Sequence, residues 1–296
     1  MKNVVIFLGG DRGAAVVRRI QADGHTICAL VFPASMSGDP LTKELAALTG
    51  AELIEPQSIN QPEFVDRIRA LAPTLGIIGG YSEIFDEELI NLPTHGTINL
   101  HAGKLPGYRG GSPLNWQIII GESEIGLSVV QTDIGIDTGD IMASGSIPLQ
   151  DHDTIADIHE KANQLFPDLV SHVIGALAAG TQKSIPQESE GARYWHQRND
   201  ADGKIDWGNI TVREAINLVR GITRPYPGAF CFSGDDEVRI FAAEMPDQVI
   251  RGVPGRIMWL QGKGPFVACR DGAVLLTDYT IDGSVEGHLK NGTHLS

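Results

Sequence analysis

Asn99 and His101 stand two positions apart in a stretch that reads INLHAGKLPGYRGGSPLNWQ from Ile98 to Gln117. In an extended segment, residues i and i+2 leave the same face, so an amide and an imidazole there look into one pocket. The end of a strand is where open α/β sheets place their ligands, and a glycine-rich loop with many backbone N–H groups follows. A second segment, TDIGIDTGDI (132 to 141), offers three carboxylates: Asp133, Asp137 and Asp140. An amide donor, an imidazole and a carboxylate, with no Ser or Cys nucleophile at a motif position, suit acyl transfer between two bound molecules, one of which brings its own amine. The protein then has to remove a proton from the amine, stabilise a tetrahedral oxyanion and keep water out. Asn99 can donate to the oxyanion, His101 can donate or move a proton, and Asp137 can orient His101 and raise its basicity. Each residue also has a structural reading: Asn and His near strand ends often serve turns or cores, and Asp in a glycine-rich loop usually serves the turn. Asp133 and Asp140 are read that way, with the backbone at Asp133 kept in view.

The elements that must carry these groups follow from apolar patterning. Val4 to Leu8, Thr26 to Phe32 and Leu75 to Gly80 are apolar runs, with helical patterns at Ala14 to Ala22, Leu41 to Leu48 and Pro62 to Leu71 between them. Strands alternating with helices predict an open, mainly parallel sheet. Thr97 to Leu100 reads as a short strand, Ser112 as the cap of a helix running through Ile120 with Pro113 first in it, and Leu127 to Gln131 as another strand. Ile141 to Leu149 follows as an extended arm, and Asp153 to Leu177 carries a long amphipathic helix expected to close the first domain. Past an ordered linker, a helix at Thr211 to Arg220 with Thr211 as cap leads into short strands split by glycines from Gly228 onward. That change of pattern predicts a small barrel or curled sheet. The expected fold class is α/β, a Rossmann-like mainly parallel sheet flanked by helices, followed by a smaller, mostly β, OB-like subdomain. The expected divisions are 1–180, a linker at 181–199, and 200–296.

The chain has 296 residues, 42% of them hydrophobic and 20% charged, which fits a soluble globular protein and excludes collagen-like or disordered classes. The opening MKNVVIFLGG reaches Gly-Gly too soon for a signal peptide or membrane span. Cys28, Cys231 and Cys269 are widely spaced and read as reduced, buried small hydrophobes, so a cytoplasmic protein is expected. None of the histidines has metal-ligand spacing, so no metal is expected. The Gly9-Gly10-x-x-Gly13 turn invites a dinucleotide reading, but G-x-G-x-x-G is not matched.

Asn99-Leu100-His101, then Leu105-Pro106-Gly107-Tyr108-Arg109-Gly110, then Ile136-Asp137-Thr138-Gly139-Asp140 resemble, in order and spacing, the signature of the folate-dependent formyltransferases. DGKIDW (202 to 207) and PYPGAF (225 to 230) look like the start of that family's C-terminal subdomain, so the resemblance covers nearly the whole chain. It implies that N10-formyltetrahydrofolate donates a formyl group to a primary amine, with Asn99, His101 and Asp137 as the catalytic trio. It further implies that the pterin lies against the backbone of Glu83, Ile84 and Phe85 and of the loop Asp133, Ile134, Gly135 and Ile136 up to Asp137. For Ile84 and Phe85 plain core packing is the competing reading. The chain departs from the family pattern N-x-H-x-S-L-L-P at Gly103 and Lys104, and Gly111 replaces an Arg often found after the R-G turn.

The family's branches act on methionyl initiator tRNA, glycinamide ribonucleotide, water, or amino sugars carried on nucleotides. Net charge is −14; residues 31 to 60 hold one Lys against four acidic residues, and residues 199 to 296 hold 10 Lys plus Arg against 13 Asp plus Glu. A tRNA-reading surface needs the opposite sign, because neutralising phosphates carries that affinity. Ser112-Pro113-Leu114-Asn115-Trp116 also resembles the S/A-P-x-N-W of sugar formyltransferases. The expected acceptor is therefore a nucleotide-linked 4-amino-4-deoxy sugar, with no nucleic acid or membrane partner. Tyr108 and Trp116 could floor a sugar or base, and Arg109 could face the diphosphate or fix its own loop. Homodimerisation through the second region's hairpins is a further expectation. The competing readings are a methionyl-tRNA formyltransferase; a formyl-folate hydrolase, which typically carries an N-terminal regulatory domain where this chain opens on its first strand; a binding module on the same fold; and an NAD-binding Rossmann-like protein.

Overall fold

The computed structural model describes residues 1–285 and 287–296. The chain forms two compact units that interleave in sequence: Met1–Gly110, Gly126–Ile147 and Glu160–Tyr194 make the first, and Gly111–Ile125, Pro148–His159 and Trp195–Ser296 the second.

In the first unit, β1 (Val4–Leu8), α1 (Gly10–Ala22), β2 (Ile27–Val31), α2 (Pro40–Thr49), β3 (Glu52–Ile54), α3 (Pro62–Ala70), β4 (Leu75–Gly79), α4 (Glu87–Asn91) and β5 (Thr97–His101) alternate along the chain. All five residues of β1 and of β4 are buried, because these central strands are covered on both faces. Removing a Val or Ile side chain of this kind from water contributes about 1.5–3 kcal/mol. After the two-residue strand β6 (Arg109–Gly110) and helix α5 (Pro113–Ile120) come β7 (Glu124–Gln131) and β8 (Ile141–Pro148). The sheet order is β3-β2-β1-β4-β5-β7-β8, with β1 parallel to β2 and β4, β4 parallel to β5, and β5 antiparallel to β7. Strand order reverses between β1 and β4, which creates a crevice beyond the carboxyl ends of the strands, close to where β5 delivers Asn99 and His101.

The glycines after β1 have a packing explanation. A Cβ at Gly9 would sit 1.9 Å from the carbonyl oxygen of Gly80, and one at Gly13 3.1 Å from that of Gly79. They let the start of α1 lie directly on the end of β4, which accounts for Gly9 and Gly13 by packing, while Gly10 serves the turn with a left-handed φ of +67°.

α6 (Ile155–Ala179) runs from the second unit into the first, so the helix expected to close the first domain is shared between the two. The two-residue strand β9 (Tyr194–Trp195) ends the connection. The second unit holds α5, α7 (Val212–Ile222) and the antiparallel strands β10 (Ala229–Ser233), β11 (Asp236–Glu244), β12 (Ile257–Leu260), β13 (Gly264–Ala268) and β14 (Ala273–Ile281), in the order β10-β11-β14-β13-β12. Its core joins Trp207, Val219, Ile222, Ile240, Val267 and Leu276. Thr211 caps α7 through a capping box with Glu214, as its position predicts, an arrangement worth about 1 kcal/mol. Ser112 precedes α5 as expected but makes no side-chain cap: it is left-handed at φ +50°, and its Oγ accepts instead from the Arg198 amide.

The five-stranded ladder is open, and the C-terminal segment spans its gap. Thr293 O and the Gly292 amide bond Ile257 at the β12 edge, and Ser296 exchanges both backbone hydrogen bonds with Phe232 at the β10 edge. The curl is thus closed by chain outside the named strands, something that patterning over Gly228 to Tyr279 does not reveal.

Candidate active site

Asn99 and His101 project from β5 as its period of two requires, and both reach the same atom. Asn99 Nδ2 donates to Asp137 Oδ1 at 3.4 Å, and His101 Nδ1 lies 3.3 Å from that oxygen. The second carboxylate oxygen accepts the Gly110 amide at 2.8 Å. Asp137 sits at φ +54°, in left-handed backbone that a non-glycine residue enters at a cost, which places its carboxylate under the strand end. Burial pulls its pKa up. The hydrogen bond and charge of His101, with the Gly110 and Asn99 amides, more than offset this and hold the carboxyl below the usual Asp range.

His101 is 5% exposed, and its Nε2 lies 2.5 Å from the Tyr108 carbonyl oxygen. A carbonyl only accepts, so Nε2 carries a proton and Nδ1 is the nitrogen turned to Asp137. Tyr108 contributes this main-chain oxygen, while its buried ring belongs to the core.

A cavity of about 170 Å³ opens beside the trio. Asn99 and Asp137 line it together with Glu83, Ile84, Phe85, Asp133, Ile134, Gly135 and Ile136, so the structure brings together all the residues expected to face a pterin. Their side chains differ in use. Ile84, Ile134 and Ile136 are exposed, leaving apolar surface at the cavity. Phe85 is buried with its ring edge-on to Phe7 at 4.7 Å, so its side chain is core and only its backbone and ring edge remain for the site. Glu83 accepts from the Tyr81 hydroxyl and the Ile59 amide; burial, followed by the Glu83 charge, pushes the Tyr81 phenol up and keeps it a donor. Asp133 bonds the Gly135 amide and Thr138 hydroxyl, the turn role expected of it. Apolar walls with polar main-chain edges fit a flat heteroaromatic ring. Among the described residues no group of three or more His, Cys, Asp or Glu side chains is placed to hold a metal.

Arg109 is buried, and its guanidinium donates to Gln187 Oε1 at 2.9 and 3.1 Å and to the Tyr194 hydroxyl at 3.2 Å. Of its two expected roles, the geometry favours fixing the loop. Gln187 in turn donates to the carbonyls of Asp137 at 2.9 Å and Gly139 at 2.6 Å. A single carboxamide thus ties the R-G turn to the Asp137 loop. Sequence reading missed it, because the stretch from Thr181 to Gln197 looks like a linker. Asn60 was missed likewise: its side chain donates to Ile84 O at 2.8 Å and accepts from the Asp86 amide at 3.0 Å, bracing the loop that lines the cavity.

Trp116 lies in the second unit, where it packs on Trp195 at 5.0 Å under the Arg198 guanidinium and donates to His196 O. Its neighbour Asn115 is buried and donates to Gly221 O at 2.8 Å. The departure at Gly111 has a steric cause, since a Cβ there would lie 2.4 Å from the Gln197 Cα.

The sequence profile described as formyl transferase matches residues 2–174, and that of the formyl transferase C-terminal domain matches residues 198–288. A methionyl-tRNA formyltransferase of Geobacter sulfurreducens is 31% identical over 287 residues, which is 94% of this chain and 89% of that one. Among solved structures, the sugar 3N-formyl transferase WlaRD, determined with dTDP and 5-N-formyl-THF, superposes with a TM-score of 0.72 at 16% identity, over 96% of this chain and 99% of that one. An N-formyltransferase of Helicobacter canadensis, in complex with folinic acid and dTDP-3-aminofucose, gives 0.71 at 17% identity, over 95% and 100%. At such identities the structures speak for the fold alone.

Proposed function

Because this chain belongs to the folate-dependent formyl transferase family, we propose that it moves a formyl group from N10-formyltetrahydrofolate to the primary amine of a nucleotide-linked amino sugar. In this reading the amine nitrogen bonds to the formyl carbon, the bond from that carbon to N10 breaks, and the proton lost by the amine is balanced by one gained at N10. Asn99 Nδ2 has two N–H groups; one meets Asp137 and the other can meet the oxyanion at the cavity. Asp137, kept ionised, orients the His101 imidazole and raises its basicity, and His101 moves the proton. The walls at Ile84, Ile134 and Ile136 exclude water from the pterin side.

The acceptor choice is carried by charge. In the second unit Arg213, Arg224, Arg239, Lys263 and Arg270 are each paired with a carboxylate, and that region is already acid-rich. Cations spent on internal pairs are poorly placed to neutralise a phosphodiester backbone. The second reading is a methionyl-tRNA formyltransferase, favoured by the name of the 31% identical relative. The three free cysteines support a reducing, cytoplasmic setting.

Incubation with N10-formyltetrahydrofolate and a panel of amino-sugar nucleotides, beside charged initiator tRNA, tests this by tetrahydrofolate release. Release that depends on the amino sugar is expected. Release driven by the tRNA alone would overturn the acceptor, and release that needs no amine would point to hydrolysis.

A further inference from the structure

The absence of a side chain at Gly103 controls where the His101 imidazole sits. A Cβ built on Gly103 would lie 2.6 Å from His101 Nε2, 3.0 Å from its Cδ2 and 2.7 Å from the Tyr108 carbonyl oxygen. Two of these three approaches are closer than real Cβ atoms make, and neither atom is the end of a flexible chain. The backbone of Gly103 is not left-handed, so the requirement is for room and not for conformation. The loop around it is fixed: Ser128 Oγ donates to Gly103 O at 2.8 Å, Ser128 is the ladder partner of His101, and the Tyr108 amide donates to Lys104 O at 3.1 Å.

We propose that Gly103 is a positioning residue for the formyl transfer: it lets the Tyr108 carbonyl close on the imidazole edge, which fixes the ring with Nε2–H on that carbonyl and Nδ1 against Asp137. The inference rests on the catalytic reading of Asn99, His101 and Asp137. It explains why His101, which is not on the cavity wall, is locked from both ends: Tyr108 O holds the far nitrogen and the wall carboxylate faces the near one. A side chain at residue 103 drives the ring off the carbonyl and swings Nδ1 away from Asp137.

The test compares Gly103→Ala, His101→Ala and the double variant by formyl transfer, thermal melting and nitrogen-edited NMR of ring protons. The expected wild-type spectrum holds a slowly exchanging Nε2–H resonance that His101→Ala removes and Gly103→Ala shifts or removes. Gly103→Ala is expected to lower kcat by about 10- to 100-fold with KM for the folate unchanged. Its loss of melting temperature should shrink in the His101→Ala background, where the missing ring lets the Tyr108 carbonyl yield. If Gly103→Ala does not fold alone, a folded double variant supports the proposal and an unfolded one overturns it. A fully active Gly103→Ala with an unchanged ring resonance, or an equal melting loss in both backgrounds, also overturns it. Full activity in His101→Ala would instead sink the catalytic reading itself.

Discussion

The Gln187 carboxamide nitrogen lies 2.9 Å from the carbonyl oxygen of Asp137, fifty residues earlier in the chain. That contact, with the second one to Gly139 and the two from Arg109, makes Gln187 the brace of a carboxylate held in left-handed backbone. Gln187→Ala leaves two carbonyls and a buried guanidinium short of partners, at a cost of about 1–3 kcal/mol. It is expected to lower the melting temperature and also to lower kcat by on the order of 10²-fold, since misplacing a reacting group by an ångström has that effect. Steady-state kinetics beside a melting curve check it; a melting loss with wild-type kcat would reduce Gln187 to a stabilising contact.

Asn99 lines the cavity and is the oxyanion donor of the proposed mechanism, and removing one such donor costs about 10²–10³ in kcat. Asn99→Ala should show that loss with folding intact by circular dichroism. Near wild-type turnover would remove Asn99 from the chemistry.

Asp137 carries a pH signature with a defined sign. Its folded pKa lies below the ordinary Asp value of 3.8, so its ionised form stabilises the fold above that pH, and the contribution is lost as pH falls through the depressed folded value. The stability gap between wild type and Asp137→Asn should therefore be constant at neutral pH and close on acidification below about 3.8. Denaturant titrations at stepped pH measure it. A gap that widened with acid would mean that the carboxyl is raised and not lowered.

Arg109→Lys preserves charge but not the fork that meets Gln187 twice and Tyr194 once. The expected result is a lower melting temperature and a lower kcat, with KM for the acceptor little changed. A large rise in acceptor KM at unchanged stability would return Arg109 to diphosphate binding.

Asn60→Ala releases the loop carrying Ile84 without touching the trio. KM for the folate is expected to rise several-fold, about 1 kcal/mol for the bracing lost, with kcat preserved. An unchanged KM would show that the loop keeps its shape unaided.

Much of this molecule is local enough to be read from the chain. Apolar runs place β1, β2, β4 and β5 within a residue or two, because burial leaves a continuous hydrophobic signal, whereas the three-residue β3, with only Ile54 buried, leaves none to read. The Thr211 cap is equally local, a hydroxyl answered by a glutamate three residues on. Cys231 and Cys269 are buried as composition suggests, with burial pushing both thiols up to about 12, whereas Cys28 is only half-buried. The Ser112 cap failed because the residue entered left-handed backbone, where its hydroxyl meets Arg198 instead of the helix.

By itself the sequence determined the α/β-then-β order and the shared face of Asn99 and His101 through residue identity and period two, while the resemblance to the formyltransferase signature brought in Asp137. Only the tertiary structure decided that both β5 groups converge on one oxygen of Asp137, that Gln187 and Asn60 brace the loops, and that the C-terminal segment fills the gap between β10 and β12. The physical reason is the same in each case. These contacts join side chains to backbone atoms distant in sequence, and a carbonyl or amide has no residue identity to announce it.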